Sequence, residues 1–145
     1  MRFLSSHTLV TGSSDKSLSV WDISFSQPKN ITNFNMHTDV VRCCDKLKDG
    51  TVISGGDDTY LYIWSPSNGT VLNSKQYSHS ISVLCIKILS DGRIVTGGAD
   101  NQIKIWPPTL GSESMTLGGH SQKILVLEQL SNGYLISGST DNNTI

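Results

Sequence analysis

The sequence is poor in cysteine, has no excess of either charge and contains no long apolar run. Its three cysteines, Cys43, Cys44 and Cys85, form neither the spaced framework of a secreted disulfide domain nor a pair of metal-binding CxxC elements. The first residues turn polar within a few positions, and no stretch reaches the length of a membrane span. These absences predict an intracellular protein of a reducing compartment, in the cytoplasm with the nucleus as the alternative, that holds no metal or cofactor.

The charges nearly balance, with 11 lysines and arginines against 12 aspartates and glutamates in 145 residues and a formal net charge of −1. No run of like charge is present that would attract nucleic acid or an anionic membrane surface. Neither is therefore expected as a partner. The overall composition is typical of an ordinary globular chain.

Three kinds of residue recur along the chain with a period of 41 to 43 residues. They are Trp21, Trp64 and Trp106, then Asp15, Asp58, Asp100 and Asp141, and then His37, His79 and His120. Each histidine precedes its aspartate by 21 residues, and each tryptophan follows its aspartate by 6 where both are present. The spacing indicates one repeated unit, with copies at approximately 1–23, 37–65, 79–107 and 120–145.

Each period consists of short apolar or alternating runs separated by Gly, Asp, Asn, Ser and Pro, a pattern typical of strands joined by turns. The strands predicted in the two central copies are 40–45, 51–54, 59–64 and 70–76, then 81–88, 93–96, 102–106 and 113–117. A single four-stranded unit cannot cover its own apolar faces. Stacking of like units face to face is therefore expected.

The period, the histidine that opens each copy and the tryptophan that closes it resemble the WD-repeat family of β-propellers. The family's Gly-His element is literal at Gly119-His120, and its Trp-Asp element is literal at Trp21-Asp22. The resemblance implies an all-β WD-repeat propeller with two whole four-stranded antiparallel blades, at about 37–77 and 79–117. It further implies a first blade that lacks its first strand and a last blade that lacks its last strand.

Propellers typically have 4 to 8 blades, so we expect residues 1–145 to form a single partial propeller. The chain is then a piece of a longer protein, with assembly of two copies into one ring as the alternative.

In WD repeats the recurring residues form a hydrogen-bonded network, in which aspartate accepts from histidine, histidine contacts a hydroxyl and the hydroxyl accepts from tryptophan. The resemblance implies the sets His37, Ser54, Asp58 and Trp64; His79, Thr96, Asp100 and Trp106; and the partial sets Thr11, Asp15 and Trp21, and His120, Ser137 and Asp141.

The serine, histidine and aspartate of each set have the composition of a hydrolase triad, but they recur in every copy and alternate serine with threonine. A catalytic site is normally built once, and no GxSxG or GxxxxGK segment accompanies the set. The resemblance implies a non-enzymatic scaffold or adaptor that binds proteins or peptides, with no small-molecule substrate. The alternative is a substrate receptor or regulatory subunit of an enzyme complex such as a ubiquitin ligase.

The histidine loop and the aspartate turn of each copy must lie at the same end of a blade if the network forms. The residues beside them vary while the framework stays constant, as a partner-specific surface requires. The partner-binding candidates are Thr38, Asp39, Asp57, Ser80, Ala99, Ser121, Gln122 and Thr140.

Overall fold

The computed structural model describes residues 1–113 and 115–141. Every regular element in these ranges is a β-strand. The described residues contain no helix long and apolar enough to cross a membrane. The all-β prediction is therefore confirmed. Consecutive strands pair antiparallel to form four sheets. They are β1 Arg2–Phe3, β2 Thr8–Gly12, β3 Leu18–Asp22 and β4 Lys29–Phe34; β5 Val41–Lys46, β6 Val52–Gly56, β7 Leu61–Trp64 and β8 Val71–Lys75; β9 Val83–Ile88, β10 Ile94–Gly98, β11 Ile103–Trp106 and β12 Met115–Leu117; and β13 Ile124–Gln129 and β14 Leu135–Ser139.

The first sheet corrects one prediction, because it does have its first strand. Arg2 pairs with Val10 and Phe3 with Leu9, so β1 joins β2 as a two-residue strand. Two residues are too few to show an alternating pattern, and only their pairing with β2 defines the strand. In the fourth sheet, the described residues contain two strands. The remainder of the prediction for that blade falls on residues 142–145, which lie outside the described residues.

The turn between the first and second strands is the same in three sheets. In each, a glycine has a positive φ, 89° at Gly50, 96° at Gly92 and 91° at Gly133. A residue without a Cβ adopts this conformation at little cost. These turns fix the register of the hairpins. The strand bounds predicted from the sequence therefore differ from the observed bounds by only one or two residues in most strands.

The sheets stack face to face, and each neighbouring pair encloses one apolar cluster. The first cluster, between the first and second sheets, contains the buried residues Leu4, Val10, Leu18, Val20, Phe34, Val41, Val52, Tyr62 and Trp64. The second cluster, between the second and third sheets, contains Leu47, Ile53, Leu61, Ile63, Val83, Ile94, Trp106 and Leu110. The third cluster, between the third and fourth sheets, contains Cys85, Leu89, Val95, Ile103, Ile105, Ile124 and Leu127.

Stacking brings the second strand of one sheet against the first strand of the next. A Cβ added at Gly55 would lie 2.9 Å from Val83 Cγ1, and one added at Gly97 would lie 2.6 Å from Ile124 Cγ2. Glycine is therefore required at both positions by close approach of the sheets, with a β-branched side chain filling the space above it.

Ion pairs also join first strands across the sheet boundaries, and sequence analysis did not predict them. Arg2 Nε lies 2.6 Å from Asp45 Oδ1, and Lys87 pairs with Glu128. These four residues are spaced by 43, 42 and 41 residues, so that each sheet contributes one charge and the sign alternates. Asp45 is 2% exposed and its Oδ2 also accepts from Ile88 N at 3.0 Å. Charged residues that recur with the repeat period were the feature of the sequence that could have revealed this set.

Candidate functional site

The third sheet holds a continuous chain of hydrogen bonds. Trp106 Nε1 donates to Thr96 Oγ1 at 3.0 Å, and Thr96 Oγ1 lies 2.7 Å from His79 Nε2. His79 Nδ1 lies 2.9 Å from Asp100 Oδ1. Because Thr96 accepts from the indole, its own hydroxyl hydrogen is free to donate to His79. This assigns a neutral imidazole whose Nδ1–H donates to the carboxylate.

The electrostatics of this chain agree with that protonation state. Burial lowers the pKa of His79 below its ordinary value of 6.5, although the neighbouring Asp100 opposes the shift. Burial alone would raise the pKa of Asp100, but its attraction to His79 and its hydrogen bonds from His79 and two backbone N–H groups outweigh burial and lower it. The pair therefore consists of a neutral histidine and a carboxylate at neutral pH.

The second sheet repeats part of this arrangement. His37 Nδ1 lies 2.7 Å from Asp58 Oδ2, and His37 Nε2 lies 2.8 Å from Ser54 Oγ. The expected bond from Trp64 is missing, since its Nε1 is buried without a hydrogen-bond partner among the described residues. The Trp64 ring instead stacks on Phe34, with centroids 4.8 Å apart and planes inclined by 13°. Trp64 thus lies outside the network that the resemblance implied.

The residue that carries the hydroxyl accounts for this difference. Both tryptophans that donate do so to a threonine, since Trp21 Nε1 also reaches Thr11 Oγ1 at 3.0 Å. Threonine is branched at Cβ and restricted about χ1, whereas serine rotates more freely. We attribute the missing bond to Ser54, whose hydroxyl contacts His37 Nε2 rather than the Trp64 indole.

The outer copies hold partial sets. Asp15 is exposed and its Oδ1 accepts from Ser17 N and Oγ within its own turn, at 3.0 and 2.6 Å. In the fourth sheet, His120 Nδ1 lies 3.0 Å from Asp141 Oδ2, and His120 Nε2 lies 2.9 Å from Ser137 Oγ. The structure therefore brings histidine, hydroxyl and aspartate together in the three sheets that have the histidine.

Each of these aspartates also fixes the loop that follows the histidine. Asp58 Oδ2 accepts from Thr38 N at 3.0 Å, Asp100 Oδ2 from Ser80 N at 3.0 Å, and Asp141 Oδ2 from Ser121 N at 2.8 Å. The loops and the aspartate turns consequently share one end of the sheets. We call this end, with the loops at 37–40, 79–82 and 120–123 and the turns at 57–59, 99–101 and 140–141, the upper rim.

The remaining partner-binding candidates also lie on the upper rim. Asp39 is exposed and its carboxylate accepts from Val40 N at 2.8 Å. The backbone N–H groups of Ala99 and Thr140 bond to Ser82 O and Lys123 O, and Gln122 O accepts from Ser139 Oγ. These bonds hold the turns against the following loops.

Asp57 differs from the other candidates because its carboxylate is already occupied. Arg42 Nε donates to Asp57 Oδ1 and Oδ2 at 2.9 and 3.0 Å, and a second guanidinium nitrogen reaches Oδ2 at 2.5 Å. This pairing lowers the pKa of Asp57. Arg42, the second residue of β5, was missed by sequence analysis and is the more exposed member of the pair, with 48% of its side chain accessible against 19% for Asp57.

Large apolar side chains flank the histidine loops, and they were not among the binding candidates from the sequence. Met36 and Tyr77 are exposed shortly before His37 and His79, and Ile81 is exposed after His79. Ser78 Oγ donates to Thr59 O at 2.7 Å, which ties the second loop to the aspartate turn of the preceding sheet. Apolar residues next to a repeat histidine were the feature of the sequence that could have identified them.

Three hydroxyls of the network, those of Ser54, Thr96 and Ser137, are buried and therefore inaccessible to a substrate. Burial likewise raises the pKa of Cys85 to about 12, which keeps this thiol protonated and unreactive. Among residues 1–113 and 115–141, no three His, Cys, Asp or Glu side chains are arranged to hold a metal ion.

The comparisons with known proteins agree with this geometry. Residues 1–22, 28–65 and 70–107 match the family model described as WD domain, G-beta repeat. No curated protein matches the chain.

Two solved structures show the same fold. The WD40 β-propeller domain of Doa1 is similar with a TM-score of 0.89 and 32% identity, over 99% of this chain and 48% of that chain. The computationally designed Ika8 protein is similar with a TM-score of 0.81 and 24% identity, over 97% of this chain and 42% of that chain. The chain thus spans about half the length of each. With three matched repeats and this fold, the chain belongs to the WD40-repeat family of β-propellers, whose members generally act as platforms for protein interaction.

Proposed function

We propose that the chain is a non-enzymatic scaffold that binds a protein or peptide partner through its upper rim. The observation that carries the proposal is the repeated hydrogen bond that the backbone N–H of the residue after each repeat histidine donates to the aspartate carboxylate. It fixes three loops in the same pose while their side chains differ. Variable side chains on a rigid frame are what selective binding requires.

The accessible side chains of this rim suit a mixed polar and apolar contact. Thr38, Asp39, Ser80 and Ile81 are exposed on the rim, and the aromatic ring of Tyr77 is exposed two residues before the second loop. Tyrosine and isoleucine supply apolar area to an interface, while the polar groups around them supply hydrogen bonds.

An affinity pull-down with quantitative mass spectrometry tests the proposal. Asp39→Lys and Ser80→Lys change side chains on the upper rim and leave the backbone bond of Ser80 to Asp100 in place. We expect either change to weaken capture of at least one partner about tenfold. Lys48→Glu, at an exposed turn on the opposite rim, is the matched control and should leave capture unchanged.

Thermal melts of the two upper-rim variants should superimpose on that of the unmodified protein, since neither removes a buried contact. Lys48→Glu removes only the exposed bond from Lys48 Nζ to Ser90 O and should lower the Tm slightly. Loss of a partner with Lys48→Glu, together with full capture by both upper-rim variants, would show that the binding surface lies at the opposite end of the sheets from the upper rim.

A further inference from the structure

One of the connections that lead from a sheet to the next repeat histidine is longer than the other two. The strands β4, β8 and β12 end at equivalent positions, as their pairing with the third strands shows: Phe34 opposite Leu18, Lys75 opposite Leu61 and Leu117 opposite Ile103. Two residues lie between this end and the next histidine after the first and third sheets, whereas three, Gln76, Tyr77 and Ser78, follow the second sheet. The repeat therefore contains one extra residue at this place.

The longer connection holds Tyr77 in an unusual backbone conformation. The φ of Tyr77 is 50°. A bulky residue is rare in this left-handed region, because its Cβ crowds the backbone, and surrounding contacts must maintain the conformation. The Tyr77 side chain is 75% exposed, so burial of its own ring does not supply these contacts.

Contacts on both sides of Tyr77 fix its backbone instead. Ser78 is buried, and its N–H and Oγ both donate to Thr59 O, at 3.0 and 2.7 Å. Lys75, two residues before Tyr77, is paired with Leu61 in the second sheet. Tyr77 is thus held between a strand and a bonded turn of the upper rim, and little of its backbone freedom remains to be lost when a partner binds.

A tyrosine that is both fixed and exposed has the properties of an interface anchor. Its ring offers a large apolar area and its hydroxyl offers a hydrogen bond, and tyrosine is enriched among the residues that dominate binding energy. Its side chain has only two χ angles to restrict on binding. Ser80 and Ile81, which are also exposed, follow it on the upper rim.

We propose that Tyr77 is the side chain that anchors a folded partner domain to the upper rim, by inserting its ring into an apolar pocket of that domain. The inference rests on the function proposed above, because it assigns the anchor of the same surface. Most of the Tyr77 side chain is accessible, so only a concave surface would enclose it, whereas an extended peptide would cover one face of the ring. The extra residue is singular in a repeated framework, and singular features are where a specific function resides on a common fold.

Photo-crosslinking from position 77 tests the kind of partner. The whole chain is prepared with the photoreactive amino acid p-benzoylphenylalanine in place of Tyr77, incubated in a cell lysate and irradiated. We expect a covalent adduct in which the crosslinked peptide, identified by mass spectrometry, belongs to a domain that resists limited proteolysis. The control carries the same amino acid in place of Tyr134, which is 72% exposed beside the Gly133 turn on the opposite rim, and should not form this adduct.

Three results of this experiment would overturn the proposal. They are the absence of an adduct from position 77, the same adduct from position 134, and a crosslink from position 77 to a segment that limited proteolysis degrades.

Tyr77→Asn separates binding from stability. Asparagine tolerates the left-handed conformation better than tyrosine does, so the Tm should stay the same or rise. Titration with the domain identified by crosslinking should show binding at least about tenfold weaker than that of the unmodified chain. Tyr134→Asn is the matched control and should bind this domain as the unmodified chain does. Undiminished binding by Tyr77→Asn would contradict the proposal at any Tm, and if this variant is unstable the contrast between positions 77 and 134 in crosslinking decides.

The variants at Asp39 and Ser80 distinguish failure of this inference from failure of the proposed function. If Asp39→Lys or Ser80→Lys weakens capture while Tyr77→Asn does not, the upper rim binds a partner without Tyr77 as its anchor. If none of the three variants weakens capture, both proposals are wrong.

Discussion

At the scale of single residues, the repeats are similar but not interchangeable. Thr96 accepts from Trp106 and contacts His79, whereas Ser54 contacts His37 and leaves the Trp64 indole N–H without a partner among the described residues. An unsatisfied buried donor costs free energy that a bonded one does not. The tryptophans of the two repeats therefore contribute differently to stability.

Replacing the two tryptophans should reveal this difference. Trp106→Phe removes a hydrogen bond as well as ring volume, while Trp64→Phe removes ring volume and an unpaired donor. We expect Trp106→Phe to lower the free energy of unfolding by about 1 kcal/mol more than Trp64→Phe does, the net value of one hydrogen bond. Urea denaturation of both variants measures this. Equal losses, or a larger loss for Trp64→Phe, would show that Ser54 serves Trp64 in solution.

The protonation state of His79 predicts a dependence of stability on pH. Its folded pKa is lowered from 6.5, so below that pH the unfolded chain takes up a proton that the folded chain does not. The stabilisation is complete above about pH 6.5 and is lost as the pH falls towards the lowered pKa. The urea midpoint should be lower at pH 5.5 than at pH 7.5.

His79→Gln provides the control, since glutamine does not titrate. The drop in the urea midpoint between the two pH values should be smaller in this variant. An undiminished drop would mean that other groups account for the pH dependence.

At the scale of strands and turns, glycines set how closely the sheets approach. β10 ends at Gly97 and Gly98, and the Gly97 Cα faces both Ile124 and Cys85. Sequence patterning predicted these strands and most of their bounds, because turn residues and alternating apolar positions are local properties. It did not predict β1, whose two residues are defined by their partner strand.

Gly97→Ala should separate the third and fourth sheets. The added Cβ would lie 2.6 Å from Ile124 Cγ2 and 2.7 Å from Cys85 Sγ, closer than atoms tolerate. Overpacking of this kind costs about 1–3 kcal/mol of stability. Gly118→Ala, where no atom lies within 4 Å of the added Cβ, is the matched control and should cost less than about 1 kcal/mol. Chemical denaturation of the two variants makes the comparison, and equal stability would refute the packing argument.

At the scale of the whole molecule, polar contacts between first strands complement the apolar clusters between sheets. Asp45 accepts from Arg2 on one side and from Ile88 N on the other, so a single carboxylate joins three sheets. Glu128 pairs with Lys87 at a more accessible place, since 59% of its side chain is exposed. Replacing a buried charged acceptor costs stability because its donors lose their partner, whereas an exposed ion pair contributes little to stability.

The two carboxylates should therefore differ when each is replaced by its amide. Asp45→Asn should lower the free energy of unfolding by about 1–3 kcal/mol, because an amide group cannot accept at both oxygen positions. Glu128→Gln should cost less than about 1 kcal/mol. Thermal and urea denaturation at moderate salt would show this order. A reversed order would mean that the first strands are joined by Glu128 rather than by Asp45.

The sequence by itself determined the repeat and the all-β fold, because the period recurs along the chain and turn chemistry and apolar alternation are local properties. The pairing of each repeat histidine with its aspartate followed from the resemblance to WD repeats. Tertiary structure alone decided that Trp64 Nε1 has no hydrogen-bond partner among the described residues and that Arg42 pairs with Asp57. Both outcomes depend on side-chain χ angles and on contacts between strands, and no local sequence pattern encodes them.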